Sequence, residues 1–136
     1  MTGDDISARF AALPALVNAN TALVRRGRFL SDTFLTGTPD LPVYITVRHG
    51  IVEAVDTGPA LMRSWTFAIR AEADAWRRFW GPMPPPGCHD LLAMARYGKA
   101  RIEGDLQPLM ANLRYVKEVL EAPRRARIEA AAGASS

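Results

Sequence analysis

An alternating run followed, after two residues, by a second mostly apolar run constrains this chain more than any other feature. Val43, Ile45 and Val47 alternate with Tyr44, Thr46 and Arg48, and a second apolar run, Ile51 to Val55, resumes after the pair His49-Gly50. Period two marks a strand with one buried face, and a two-residue link with glycine in second place sets an antiparallel hairpin. A sheet begun this way has an apolar face that other elements must cover.

The remaining pattern supplies candidates for that cover. Residues 4 to 20 read as an amphipathic helix capped by Asp4 or Asp5, with Ile6, Phe10, Leu13 and Val17 on one stripe. Pro14 sits in the stripe, so the helix kinks or ends near Leu13. From about Thr21 to Arg70 the reading is of strands. One lies between Leu23 and Thr36, then comes the hairpin, and then Trp65, Phe67 and Ile69 alternate with Thr66, Ala68 and Arg70. Short links between them favour antiparallel pairing. In Glu72 to Trp80, Ala73, Trp76, Phe79 and Trp80 recur at helical spacing, with Arg77 and Arg78 facing away. Four prolines in Gly81-Pro82-Met83-Pro84-Pro85-Pro86-Gly87 stop this helix. His89 to Tyr97 forms a second short helix ended by Gly98. Lys99 to Glu103 is a last strand. Asp105 then caps a helix with Leu106, Leu109, Met110, Leu113, Val116 and Leu120 on one face, Pro108 in its first turn and Pro123 at its end. The Ala- and Arg-rich stretch from Arg124 to Ser136 is expected to be frayed.

Length and composition bound the function. With 136 residues, 49% hydrophobic and 23% charged, the chain suits one domain with one core. Residues 1–136 read as that domain, divided into an N-terminal helix (1–20), a core (21–122) and a flexible tail (123–136). A net charge of +3 is small beside the roughly six to ten phosphate contacts of a typical DNA binder, so no nucleic-acid partner is expected. The only cysteine, Cys88, forms no intramolecular disulfide. The start, Met-Thr-Gly-Asp-Asp, is acidic where a secretory signal is basic, and no apolar run approaches the roughly 20 residues of a membrane span. The expected location is the cytoplasm.

Chemistry-bearing residues are few. His49 reads as an exposed turn residue. Cys88 reads as a small apolar group, and His89 or Asp90 as a helix cap. Glu103 and Asp105 read as a strand-face charge and a cap. One cysteine and two distant histidines do not make a zinc site, and no GxGxxG, P-loop or GxSxG is present. No catalytic residue, metal or cofactor is expected. What stands out is a surplus of large apolar side chains in the second half: Trp76, Phe79, Trp80, Met83, Leu91, Leu92, Met94, Leu109, Met110, Leu113 and Val116. Helical spacing alone leaves open whether they are core or the wall of a cavity.

Three segments resemble the sterol carrier protein 2 (SCP-2) sterol-binding family. Thr66-Phe-Ala-Ile-Arg-Ala-Glu-Ala-Asp-Ala-Trp76 is similar to that family's strand-into-helix segment. Lys99-Ala-Arg-Ile-Glu-Gly-Asp105 and the apolar helix after it are similar to its ending, and Arg48-His49-Gly50-Ile51 fits its earlier strand pair. The resemblance spans roughly residues 20 to 120. It implies an α+β fold, a five-stranded, mostly antiparallel sheet covered on one face by helices, with an apolar tunnel for sterols, fatty acids or acyl-CoA between the layers. By the same resemblance Trp76, Phe79, Trp80, Leu91, Leu92, Met94, Leu109, Met110 and Leu113 become cavity-lining candidates, with Met83 beside them on the proline turn. The chain departs from the family pattern at residues 81–90 and at the N-terminal helix, both near the expected cavity mouth.

The sequence therefore reads as a small non-enzymatic carrier of a hydrophobic molecule or lipid: fatty acyl, sterol-like or isoprenoid. Arg63, Arg70, Arg77 and Arg78 are candidates for an anionic head group. Arg114, Lys117, Arg124, Arg125 and Arg127 are candidates for transient contact with an anionic membrane. The first alternative is a protein-interaction or scaffold module, with the Trp-rich helix and proline turn as a homodimer seam. The second is an enzyme using His89 and Asp90.

Overall fold

The computed structural model describes residues 3–57 and 64–135. The chain opens with three short helices, α1 (Gly3–Ala11), α2 (Leu13–Asn18) and α3 (Thr21–Arg26). Ile6, Phe10, Leu13 and Val17 are all buried, so the apolar stripe is real. The chain breaks at Ala12 and restarts with Pro14 in the first turn of α2, where a missing N–H is tolerated. Because α1 begins at Gly3, Asp4 and Asp5 lie inside it and are not its cap. Asp5 instead accepts two hydrogen bonds from Arg77, at 2.9 and 3.0 Å. The stretch after Thr21, read as strand, begins as α3, with the Asn20 side chain accepting from the Leu23 N–H.

Five strands follow in one sheet of order β3-β2-β1-β4-β5: β1 (Ser31–Gly37), β2 (Pro42–Arg48), β3 (Ile51–Thr57), β4 (Phe67–Ala71) and β5 (Ala100–Gly104). The expected hairpin links β2 to β3. His49 and Gly50 both take positive φ, 51° and 83°, the backbone of a type I′ turn that matches the twist of the two strands. Val43, Ile45 and Val47 point into the core. On the opposite face Tyr44 is also buried, with Leu35 and Ala68.

Antiparallel pairing holds for β1 with β2, β2 with β3 and β4 with β5, but β1 and β4 run parallel with Leu35 opposite Ala68. The hairpin folds to one side of β1 and the chain returns on its other side in the same direction. This is the long crossover that parallel neighbours require. Trp65 stands outside β4 and is 36% exposed, whereas Phe67 and Ile69 are fully buried.

Helices cover one face of the sheet. They are α4 (Ala73–Phe79), α5 (Leu91–Arg96), α6 (Leu106–Ala111) and α7 (Leu113–Ser135), with the three N-terminal helices. The Asp90 side chain accepts from the Leu92 and Ala93 N–H groups and Asp105 from that of Gln107, as their positions before α5 and α6 predict. Gly98 follows α5 at φ 72°. The single apolar helix expected after Asp105 is divided at Asn112. Pro123 does not end it: α7 runs through the proline to Ser135, so residues 124–135 are helical. Pro123 and its neighbour Ala122 are buried, and that packing offsets the roughly 3 kcal/mol that an interior proline costs.

Candidate functional site

The helical spacing of α4 sets the centre of the molecule. Trp76, Phe79 and Trp80 fall on one side and meet Phe10 from α1. Trp76 stacks on Trp80 at 5.2 Å, and Phe10 stands edge-on to both at 5.3 and 5.2 Å. Buried indoles need partners for their N–H groups. Trp76 Nε1 donates to the Gly37 carbonyl and Trp80 Nε1 to that of Leu120, each at 2.8 Å. Six residues singled out in the sequence, Trp76, Phe79, Trp80, Leu91, Met94 and Leu109, come together here fully buried. Leu92 and Leu113 are half-buried at the margin. Met83, on the proline turn, is 90% exposed, and Met110, on α6, is 52% exposed. The proline turn leaves Pro82, Pro85 and Pro86 in solvent and tucks in Gly87 and Cys88.

Open space lies beside α7. A groove of about 420 Å³ runs between α1–α2 and the C-terminal half of α7, walled by Ala8, Ala12, Leu16, Pro123, Ala126 and Ala130. Asp5, Arg9 and Arg127 stand at its border. On the other side of α7 a second groove of about 490 Å³ is bordered by Ala15, Ala19, Thr21, Ala122, Arg125 and Glu129. The first groove exists because small residues recur at helical spacing on both walls, at 8 and 12 and at 126 and 130.

The first groove has an electropositive edge. The Arg9 guanidinium is held below its ordinary pKa, first by burial and then by the positive charge of Arg127, with Asp5 opposing. Asp5 is itself committed to Arg77, which holds its carboxyl below the usual carboxylate range by hydrogen bonding.

The basic residues of α7 have partners, some on other elements and some within the helix. Arg124 lies over the Phe79 ring at 4.8 Å and donates to the carbonyls of Phe79 at 2.7 Å and His89 at 3.2 Å. Arg127 donates to the carbonyl of Trp80 at 3.4 Å. Together they satisfy carbonyls at the end of α4. Lys117 pairs with Asp90, and Arg114 and Arg125 lie 3.5 and 3.6 Å from Glu118. Among the head-group candidates, Arg70 pairs with Glu103 at 2.8 Å and Arg77 with Asp5 and Asp74. Arg63 lies outside the described residues.

Glu121 sits among these charges. Burial pushes its carboxyl above the ordinary 4.5, against the pull of Arg124, Lys117 and Arg125, while Asp90 adds to the push. The folded state holds this proton more tightly than the unfolded chain does, so stability falls as pH rises from 4.5 through the raised value. Glu121→Gln is expected to raise the melting temperature at neutral pH by a few degrees, with the difference gone below about pH 4. Parallel melts across that range check it.

Among the described residues no three His, Cys, Asp or Glu side chains gather to hold a metal, and no helix is long and apolar enough to cross a membrane. His49 and His89 are exposed and far apart in the chain.

No protein-family model matches the sequence, and no curated protein matches it. Solved structures do match in shape. The crystal structure of sterol carrier protein 2 gives a TM-score of 0.69 at 14% identity, covering 86% of this chain and 94% of that one. The solution structure of a conserved hypothetical protein from Thermus thermophilus, described as possibly a sterol carrier protein, gives 0.63 at 14% identity, covering 87% and 85%. The UbiJ-SCP2 ubiquinone synthesis protein gives 0.54 at 16% identity, covering 87% and 88%. With five strands in the order β3-β2-β1-β4-β5 and its helices on one face, this chain has the sterol carrier protein 2 fold.

Proposed function

We propose that the chain is a small, non-enzymatic carrier that binds a hydrophobic ligand, a fatty acyl, sterol-like or isoprenoid molecule, at its helical layer. The observation that carries this reading is the shared fold with sterol carrier protein 2 over 86% of the chain. The groove between α1–α2 and α7 gives the ligand a place to enter, and its walls are carbon-rich. A longer chain would reach further only by displacing packed core side chains, and Trp76, Phe79, Trp80, Leu91, Leu92, Met94, Leu109 and Leu113 are the candidates for that contact. Met83 and Met110 are exposed and do not line this groove. Burial drives binding: each methylene moved out of water is worth about 0.8 kcal/mol, so ten give about 8 kcal/mol before association losses of at least about 4 kcal/mol, and affinity is expected to rise with chain length.

Native mass spectrometry of the purified protein is expected to show a co-purified lipid, and titration with a fluorescent fatty acid to show saturable binding. An empty protein that also leaves the fluorescent fatty acid unbound overturns the reading. Arg9 and Arg127 suit an anionic head group, since a carboxylate between them relieves their mutual repulsion. Arg9→Gln is therefore expected to weaken fatty-acid binding about fivefold while leaving the methyl ester of the same acid unaffected. Competition titrations with acid and ester distinguish the two.

A further inference from the structure

The hairpin end of the sheet carries a second surface, separate from the groove. Helix α3 ends in Arg25, Arg26 and Gly27, and the chain turns through Arg28 and Phe29 into β1. This turn is locked against the β2–β3 hairpin. The Gly50 N–H donates to the Leu30 carbonyl at 3.3 Å, and His49 Nδ1 lies 3.4 Å from the Arg28 carbonyl. A β-carbon on Gly50 would fall 2.2 Å from the Val24 carbonyl oxygen, and one on Gly27 would fall 2.3 Å from the Tyr115 ring. With the backbone held so tightly, Leu30 turns fully inward and Phe29 is left 80% exposed. Ile51, the first residue after the hairpin turn, is 45% exposed at the same end.

The surroundings are basic. The Arg28 guanidinium lies 4.4 Å above the Phe29 ring and donates to the Arg25 carbonyl at 2.8 Å. Arg25, Arg28, Arg48 and His49 are all exposed. The nearby acids are already engaged, Glu53 with Arg48 at 2.9 Å and Glu118 with Arg26. No carboxylate contacts Arg25 or Arg28 among the described residues.

We propose that this end of the sheet docks on a lipid bilayer containing anionic phospholipid. Phe29 and Ile51 enter the boundary between head groups and acyl chains, and Arg25 and Arg28 lie among the phosphates. Two apolar side chains offer far less than the roughly 800 Å² per partner of a stable protein interface. A fluid surface needs no matching shape, and an aromatic ring flanked by cations suits the head-group level of an anionic leaflet. The basic cluster of α7 is tied to carboxylates and backbone carbonyls, whereas Arg25 and Arg28 meet no carboxylate among the described residues.

Co-sedimentation of the full chain with vesicles tests this surface independently of any ligand in the groove. Vesicles of phosphatidylcholine alone are compared with vesicles containing about 30% phosphatidylglycerol. The wild-type protein is expected to bind the anionic vesicles and to be released at about 1 M salt. Phe29→Ala is expected to weaken partitioning about tenfold, and Arg25→Gln with Arg28→Gln by a similar factor. All three side chains are exposed, so melting temperatures should match the wild type. Failure of the wild type to bind anionic vesicles, equal binding to both vesicle types, or unchanged binding by Phe29→Ala overturns the proposal.

Discussion

Replacement of Trp76 by alanine is expected to lower the unfolding free energy by about 4 kcal/mol, the largest loss of any single truncation in this core. The indole is fully buried and touches Trp80, Phe10 and Phe79, with ring centroids 5.2 to 5.6 Å away. Its removal leaves a void at the junction of α1, α4 and the sheet, and none of the three can close it without losing its own packing. It also strands the Gly37 carbonyl, which accepts from Trp76 Nε1 at 2.8 Å. Trp76→Phe keeps a six-membered ring but loses the donor and part of the indole volume, for an expected cost of about 2 kcal/mol, between wild type and the alanine variant. Urea denaturation followed by near-ultraviolet dichroism reads both values. A loss below about 1 kcal/mol for the alanine variant would mean that this layer is already loosely packed.

Gly50→Ala is expected to cost about 3 kcal/mol or more, although it adds a single methyl group. The residue sits at φ +83°, which an L side chain adopts only under strain, and its β-carbon would lie 2.2 Å from the Val24 carbonyl oxygen. That oxygen belongs to helix backbone and has nowhere to move. The Gly50 carbonyl also accepts from the Tyr115 hydroxyl at 2.6 Å, so a shift of the turn would break a buried bond to α7. Burial of that phenol pushes its pKa well above the ordinary value for tyrosine, consistent with a hydroxyl that stays protonated as donor. Gly98 is the matched control. Its φ is +72° but nothing lies within 4 Å of the added carbon, so Gly98→Ala should cost only about 1 kcal/mol. Equal losses at the two positions would remove the clash as the cause.

Local rules placed the site residues on their elements but did not separate a wall from a core. Trp76, Phe79 and Trp80 recur at helical spacing on α4, and that spacing puts them on one face in either case. Their role depends on what stands opposite, and Phe10, some 66 to 70 positions earlier in the chain, fills that place. The groove beside α7 was hidden for the converse reason. Alanine at 126 and 130 has no meaning until α7 lies across α1 and α2. Met110 was expected inward with Leu109 and Leu113, yet on the short helix α6 only Leu109 is buried and Met110, the next residue round, faces solvent.

Those features whose causes lie within a few residues were written in the sequence. The hairpin needed only alternation and a His-Gly turn able to take positive φ. The capped starts of α5 and α6 needed only Asp90 and Asp105, and the end of α5 needed only Gly98. The tertiary structure decided what depends on distant partners. It made β1 and β4 parallel, because the hairpin occupies one flank of β1 and leaves the other for the returning chain. It turned residues 21–26 into α3, too short for any periodicity to appear, under Tyr115 and beside Glu118. It carried α7 through Pro123, since burial of Ala122 and Pro123 and the hydrogen bonds of Arg124 and Arg127 to α4 outweigh one lost backbone bond. A local rule fixes the conformation of a turn or a cap, whereas the free energy that overrides a helix breaker comes from surfaces brought together only by folding.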